Sequence, residues 1–291
     1  MMSSANRWEK ARWQAAAAPH AGSWMDAAPS IAFDTLLTNS EVKYGICRRL
    51  GVEVGADGPC PFCLGVMDRF GAHGESCVGG GDKTVVHHCV RNVLHSQAKR
   101  SGFGSVLEAA GVLNLLGVRA AARAQGSQER PADVLLVQAQ DVRTGVGRRS
   151  GRIALDVGIV CPQAASHLDV ASAERLGAAE VYVRRKCGRA DMERRCAQAG
   201  VVFQPVIFES LGGVSAEAEG VLKCVNKAVA VNTDSREGEV ATQFWHRVGV
   251  DLLRGMHRAS MRRFGARGVD DVGGGRSAFW GAGLLQVPAG V

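Results

Sequence analysis

The stretch Arg130–Val160, "RPADVLLVQAQDVRTGVGRRSGRIALDVGIV", decides the fold. "DVLLVQ" and "RIALDVGIV" are strand-like apolar runs, and "DVRTGVGRRSG" between them is rich in turn residues, so the pattern predicts a hairpin. Each run carries one aspartate, Asp133 and Asp156. An ionised carboxylate in a buried strand costs several kcal/mol unless it is paired or binds a metal. Facing residues of a hairpin have a constant index sum. With the midpoint between Thr144 and Gly145, Asp133 and Asp156 face each other with Cβ atoms about 5 Å apart. Two carboxylates that close repel unless a divalent cation lies between them. Oxygen ligation with room for water suits Mg²⁺. Such a cation can activate water and stabilise charge on a phosphate, as in metal-assisted phosphodiester hydrolysis. Glu108, in the candidate strand "SVLEAAGVL", is the third acidic candidate, and Asp141, in the turn, a weaker one. An alternative stays open: Asp133 begins its strand in solvent after Pro131, and Asp156 faces solvent on an edge.

Working outward, "KTVVHHCVRNVLHSQAKRSGF" places Val85, Cys89, Val93 and Leu94 at helical spacing. On that helix His87, His88 and Cys89 are expected to be solvated or to support other ligands. An HNH-type nuclease on His87–His88 would need further ligands in a compact ββα unit, which a plain helix does not provide. "GVRAAARAQGSQER" reads as a polar loop. Beyond the hairpin, a long helical pattern covers about Asp169 to Ala199, with Gly200 as its C-cap. "VVFQPVIF" is a further strand, and "SAEAEGVLKCVNKAVAV" and "EVATQFWHRVGVDLLRGMHRASMRRF" read as helices. The order helix, strand, strand, strand, helix, strand predicts an α/β fold, a mixed sheet flanked by helices.

Upstream, "SEVKYGICRRLGV" (Ser40 to Val52) reads as a short helix capped by Ser40 and ended by Gly51. "CPFCLGVMDRFGAHGESC" then spaces Cys60-x2-Cys63-x9-His73-x3-Cys77. A CxxC turn lets two thiolates share one metal, and the later His/Cys pair closes a tetrahedron, so a structural Zn²⁺ is expected. Cys161, Cys187, Cys196 and Cys224 are scattered and read as packing residues.

The 291 residues are 46% hydrophobic and 22% charged, enough for one real core. Net charge is +7 and the isoelectric point about 9.1, which favours a polyanionic partner, most simply nucleic acid. "MMSSANRWEKARWQ" lacks the apolar core of a signal peptide, and no run is long enough to span a membrane. An intracellular setting follows, in which nine clustered and scattered cysteines suggest metal binding over disulfides. The expected organisation is a mobile Ala-rich arm (1–37), a helical linker (38–58), the CCHC zinc knuckle (59–81), a catalytic domain (82–264) and a flexible tail (265–291).

In this order the knuckle, a helix, "RPADVLL", "ALDVGIV", a Lys/Arg-rich helix ending "CAQAG", "VVFQPVIFESLGG" and "FWHRVGVDLLRG" resemble a known family. The chain from Thr38 to Phe264 is similar to the C-terminal region of site-specific non-LTR retrotransposon polyproteins, beyond the reverse transcriptase. That region carries a zinc knuckle and a restriction-like endonuclease of the PD-(D/E)XK fold. The resemblance implies an αβββαβ core and Asp133 and Asp156 as ligands of a catalytic Mg²⁺, with "PAD" standing for the motif's "PD". It further implies Glu108 as an additional acid, DNA or RNA as partner, a nuclear location and a reverse transcriptase supplied separately. The sequence departs from the motif at Gly158, where the lysine would stand. In the family that lysine often moves to the next helix, which makes Lys186 the candidate, although Cys187 follows it where the family has an aromatic. Arg184, Arg185, Arg189, Arg194 and Arg195 are candidates to track phosphates. No YADD-like polymerase signature is present. The expected function is therefore a metal-dependent DNA endonuclease domain. The alternatives are a catalytically inactive zinc-containing nucleic-acid-binding module or decayed retroelement fragment, and a zinc-stabilised protein-interaction domain.

Overall fold

A computed structural model describes residues 6–109, 112–114, 131–139 and 151–265. The predicted polar loop 117–130, most of the hairpin turn with Asp141, and nearly all of the predicted tail lie outside them.

The sheet has four strands: β3 (Gly104–Leu107), β4 (Val134–Ala139), β5 (Gly151–Val160) and β6 (Val201–Glu209), in that spatial order. β3–β4 and β4–β5 are antiparallel, and β5–β6 is parallel. The expected mixed α/β sheet is present. The hairpin has the predicted register: Val134 faces Leu155, an index sum that pairs Asp133 with Asp156 one step further. A bulge between Val137 and Ala139 shifts the pairing near the turn, beyond the aspartates.

Alternation along β5 explains the layers. Ile153, Leu155 and Val157 face a large core with Val134, Leu136, Val206 and Phe208. That core is closed by α4 (Asp82–Arg100), α8 (Ala216–Asn232) and the long α9 (Glu237–Phe264). On the other face Ala154 and Phe203 pack with Cys196 of α7 (Met192–Gln198), and Val160 and Ile207 with α6 (Gly177–Gly188). A strand covered on both faces reads as a nearly continuous apolar run, which is what β5 shows. Cys161 and Cys196 are buried packing residues, as expected.

Several boundaries differ from expectation. The arm is not loose throughout: α1 (Arg7–Ala16) opens with a capping box between Asn6 and Glu9, and Ala11 and Ala15 are buried. It packs on α5 (Leu168–Ala173). An Ala-rich helix has a weak apolar pattern because its small residues bury through close approach rather than bulk. Helix α2 (Asn39–Leu50) is capped by Thr38, not Ser40, because Thr38 forms the reciprocal box with Glu41. Gly51 ends it in the left-handed conformation, as predicted. The long helix expected over 169–199 is broken into α5, α6 and α7. Leu176, Ala190 and Asp191 have positive φ at the breaks, dihedral signals that apolar periodicity does not carry. β3 stops at Leu107, leaving Glu108 just outside the strand.

Candidate functional site

Three acidic residues share one rung of the sheet. Extending the β3–β4 and β4–β5 registers by one residue puts Glu108 beside Asp133 and Asp133 beside Asp156. The backbone bonds agree: Glu108 N donates to Asp133 O at 2.9 Å, and Asp133 N to Leu155 O at 2.9 Å. The carboxyl groups of Asp133 and Asp156 come within hydrogen-bonding reach of each other.

Each aspartate also has a cationic or polar partner. Lys186 Nζ, from α6, lies 2.8 Å from Asp156 Oδ1. His87 Nε2, from α4, lies 3.0 Å from Asp133 Oδ2, and Val157 N donates to the same oxygen at 2.7 Å. Burial pushes the Asp156 carboxyl up to about 6; Asp133 adds to this and Lys186 opposes it. Burial would also raise Asp133, but the His87 bond and charge, the Val157 amide and Lys186 outweigh it and hold this carboxyl below its usual value. One carboxyl is thus held ionised while its neighbour is poised to take a proton, the expected result of two acids sharing a small volume.

Glu108 takes its place on the rung but does not join the pair's ligand cluster. Its backbone is left-handed, with φ of 45°, and its carboxylate pairs with Arg91 of α4. Among the described residues the one group of three or more metal-type ligands is elsewhere. The strand expected through Glu108 would have pointed it with its neighbours; the turn after Leu107 removes that constraint.

Gly158 explains why the lysine comes from a helix. A Cβ there would sit 2.7 Å from Ile207 Cδ1 and 2.9 Å from Tyr182 Cε1. The Tyr182 ring occupies the space a strand lysine would use, and the Lys186 ammonium lies 5.8 Å from the centroid of that same ring. Of the five arginines proposed to track phosphates, Arg184 and Arg185 lie on α6 and Arg194 and Arg195 on α7. The break at Ala190 separates the two groups, and Arg194 is paired with Asp191.

The other cluster is the knuckle. β1 (Gly58–Pro59) and β2 (Val66–Met67) form a small hairpin, and α3 (Ala72–Ser76) follows. They bring Cys60, Cys63, His73 and Cys77 together with all ligand atoms within 4.8 Å of one another. Cys60 Sγ and Cys77 Sγ are 3.9 Å apart, and Cys63 Sγ and His73 Nε2 are 3.3 Å apart. A tetrahedron with metal–sulfur bonds of about 2.3 Å has edges of about 3.8 Å. The Cys60 thiol is held down to about 6. Burial opposes this, but the Phe62 amide, His73 and Cys63 prevail, which favours the thiolate a metal requires. These four residues could hold a metal ion.

Sequence reasoning missed what joins the knuckle to the sheet. Glu75, between His73 and Cys77, is fully buried and accepts Arg48 Nε at 2.7 Å and Nη2 at 2.9 Å. It also accepts Tyr44 Oη at 2.8 Å and Ser210 Oγ at 2.7 Å, the latter just past β6. A glutamate in a short Gly-flanked turn carries no pattern that announces burial. Among the described residues no helix is long and apolar enough to cross a membrane. No protein-family model matches the chain, and no curated protein or solved structure matches it either.

Proposed function

We propose that this chain is a metal-dependent DNA endonuclease domain of the PD-(D/E)XK type, with a zinc-bound knuckle, related to the C-terminal region of non-LTR retrotransposon polyproteins. One observation carries the reading: two carboxyls in contact on adjacent strands, with the Lys186 ammonium 2.8 Å from one of them. Burial raises the Asp156 carboxyl to about 6 and the charge of Asp133 adds to it, and a divalent cation between them would offset both. The donors are oxygens, which suits Mg²⁺.

Asp133 and Asp156 would hold the cation, which supplies a water of lowered pKa and charge at the scissile phosphate. His87 orients Asp133 through its Oδ2, leaving the other oxygen to the cation. Lys186 exchanges its bond to Asp156 for one to the phosphate or the attacking water as negative charge grows there. Water adds to phosphorus, the phosphorus–oxygen ester bond breaks, and the leaving oxygen takes a proton. In the knuckle, a Cys3His donor set that fills a tetrahedron is a structural rather than a catalytic zinc site.

The test is plasmid nicking by the purified full chain in Mg²⁺, beside Asp156→Ala. Nicking lost in the variant supports the reading; nicking that persists at the parent rate discards it. The second reading is a zinc-containing nucleic-acid-binding module without catalysis. It is favoured by the diversion of Glu108 to Arg91, which leaves two acids where three were expected. It predicts DNA binding that weakens as salt rises, and no cleavage in either protein.

A further inference from the structure

The two halves of α9 treat their arginines differently. In the first half Arg247 and Arg254 meet Asp34 and Asp251, two guanidiniums against two carboxylates. In the second half Arg258, Arg262 and Arg263 meet Asp82 alone, at 3.6, 2.7 and 2.8 Å. Three positive groups against one negative leave a surplus of two. Arg263 is the structural partner of Asp82. Both side chains are buried, and Arg263 Nη2 also donates to Gly79 O at 2.6 Å, two residues past the knuckle ligand Cys77.

Arg258 and Arg262 are the surplus. Their side chains are 40% and 39% exposed, and among the described residues neither has another acidic partner. Arg262 is held through one nitrogen. Its Nη1 donates to Asp82 Oδ1 at 2.7 Å and to Gly80 O at 3.1 Å, and its guanidinium carbon lies 4.8 Å from the centroid of the Phe62 ring. Among the described residues its Nε and Nη2 make no hydrogen bond, and neither does any nitrogen of Arg258. The two residues are four apart on one helix, so they share a face about 5–6 Å apart at Cβ, where like charges repel. The ground beside them is open: a Cβ on Gly81 would meet nothing within 4 Å. Closing the core requires only Arg263. Two further guanidiniums, one of them fixed with its Nε–Nη2 edge free, suit a partner whose anionic oxygens come in pairs.

We propose that Arg258 and Arg262 grip the phosphate backbone of a DNA duplex at the joint between the knuckle and α4. This rests on the DNA partner that both readings above share, and not on cleavage. Arg262 offers its free edge to two oxygens of one phosphate. Arg258 exchanges its 3.6 Å contact with Asp82 for a shorter bond to the backbone. Asp82 opens α4, and His87, which touches Asp133, comes five residues later, about 7.5 Å along the helix axis. The grip and the aspartate pair are therefore carried by the same helix.

Two measurements on the full chain test it, with Ca²⁺ replacing Mg²⁺ to prevent cutting. The first is affinity for a short DNA duplex against salt, in the parent and in Arg258→Gln/Arg262→Gln. Lys223→Gln/Lys227→Gln is the control, an exposed pair at the same spacing on α8. The second follows the arginine Nε–H signals of the parent by NMR as the duplex is added. The arginine double variant should melt with the parent, because Arg263 and Asp82 remain, and should bind roughly tenfold more weakly. Its slope of log K against log salt should be smaller by about 1–2, as the pair holds one phosphate or two. The control should match the parent, and the Arg258 and Arg262 signals should move while that of buried Arg263 does not. If the variant keeps the parent's slope, if the control loses as much, or if the two signals stay still while DNA binds, the grip is overturned and DNA binding by the parent stands. If the parent binds no DNA, the grip falls together with both readings. Should the double variant fail to fold, the signals of the parent decide alone.

Discussion

Two buried charge clusters in this fold are built differently. Around Glu75, one carboxylate meets one guanidinium in a bidentate pair, with Tyr44, Ser210 and the Cys161 thiol supplying the remaining donors. Charge is balanced there, and Arg48 holds Glu75 below its usual value despite burial. At Asp133 and Asp156 two carboxyls touch, and burial pushes one of them up to about 6. The first cluster is finished without a ligand. The second has surplus negative charge for which a cation is the natural complement. The contrast is between a buried charge that is balanced and one that is not, and the proposed function rests on the second.

The sharpest way to break this contrast is to remove Glu75. Glu75→Ala leaves Arg48 buried without its partner and is expected to cost about 3–5 kcal/mol, read from the urea midpoint. Asp156→Asn should do the reverse, leaving the midpoint within about 1 kcal/mol of the parent or higher while abolishing Mg²⁺-dependent nicking. If Asp156→Asn instead unfolds the protein, the aspartates are structural and the contrast disappears. Next in size, Lys186→Met should slow nicking by about 10²–10³-fold, the usual cost of one charge-stabilising donor, without lowering the melting temperature. An equal rate in that variant would remove Lys186 from the chemistry.

A third buried carboxylate extends the comparison. Glu209, at the end of β6, accepts the Ala179 amide at 3.4 Å, while its Oε2 has no partner. Burial pushes it up to about 7 from a usual 4.5. A carboxyl raised on folding favours the folded state while protonated, so its contribution is complete below about 4.5 and is lost as pH rises through 7. That amounts to about 3 kcal/mol, and Glu209→Gln should flatten the stability profile across this window. The smallest expected effect is at Gly158. Gly158→Ala forces Ile207 and Tyr182 apart, costing about 1–2 kcal/mol, and should displace Lys186 enough to slow nicking measurably. A neutral Gly158→Ala would show that the Tyr182 ring does not set the lysine's position.

Legibility in the sequence followed the range of each interaction. The hairpin register was readable because strand alternation is local, and it paired Asp133 with Asp156. The knuckle was readable because its four ligands lie within 18 positions with metal-site spacing. Lys186 could be named only through a family resemblance, since nothing in "VYVRRKCG" separates it from its charged neighbours. The diversion of Glu108 was hidden because it depends on one dihedral at the end of β3 and on Arg91, 17 residues away. The Arg48–Glu75 pair was hidden because its two residues lie 27 positions apart in different elements, with no periodicity connecting them. His87 was expected either to be solvated or to support other ligands; in the structure its ring is bonded to Asp133, a contact between α4 and the sheet that no local pattern announces.

The position of Glu75 within the knuckle has a mechanical consequence. That side chain lies between two ligands and accepts a bond from Ser210, just past β6, so the small lobe is tied directly to the sheet. A polymer lying across both regions would meet them with a fixed stagger, as in the jaws of a caliper. If the chain cuts as proposed, the guanidinium–carboxylate clasp at Glu75 and the bonds from α9 to Gly71 and Gly79 would together set the distance from landmark to scission, and loosening the clasp should blur the cut position before it slows the cut.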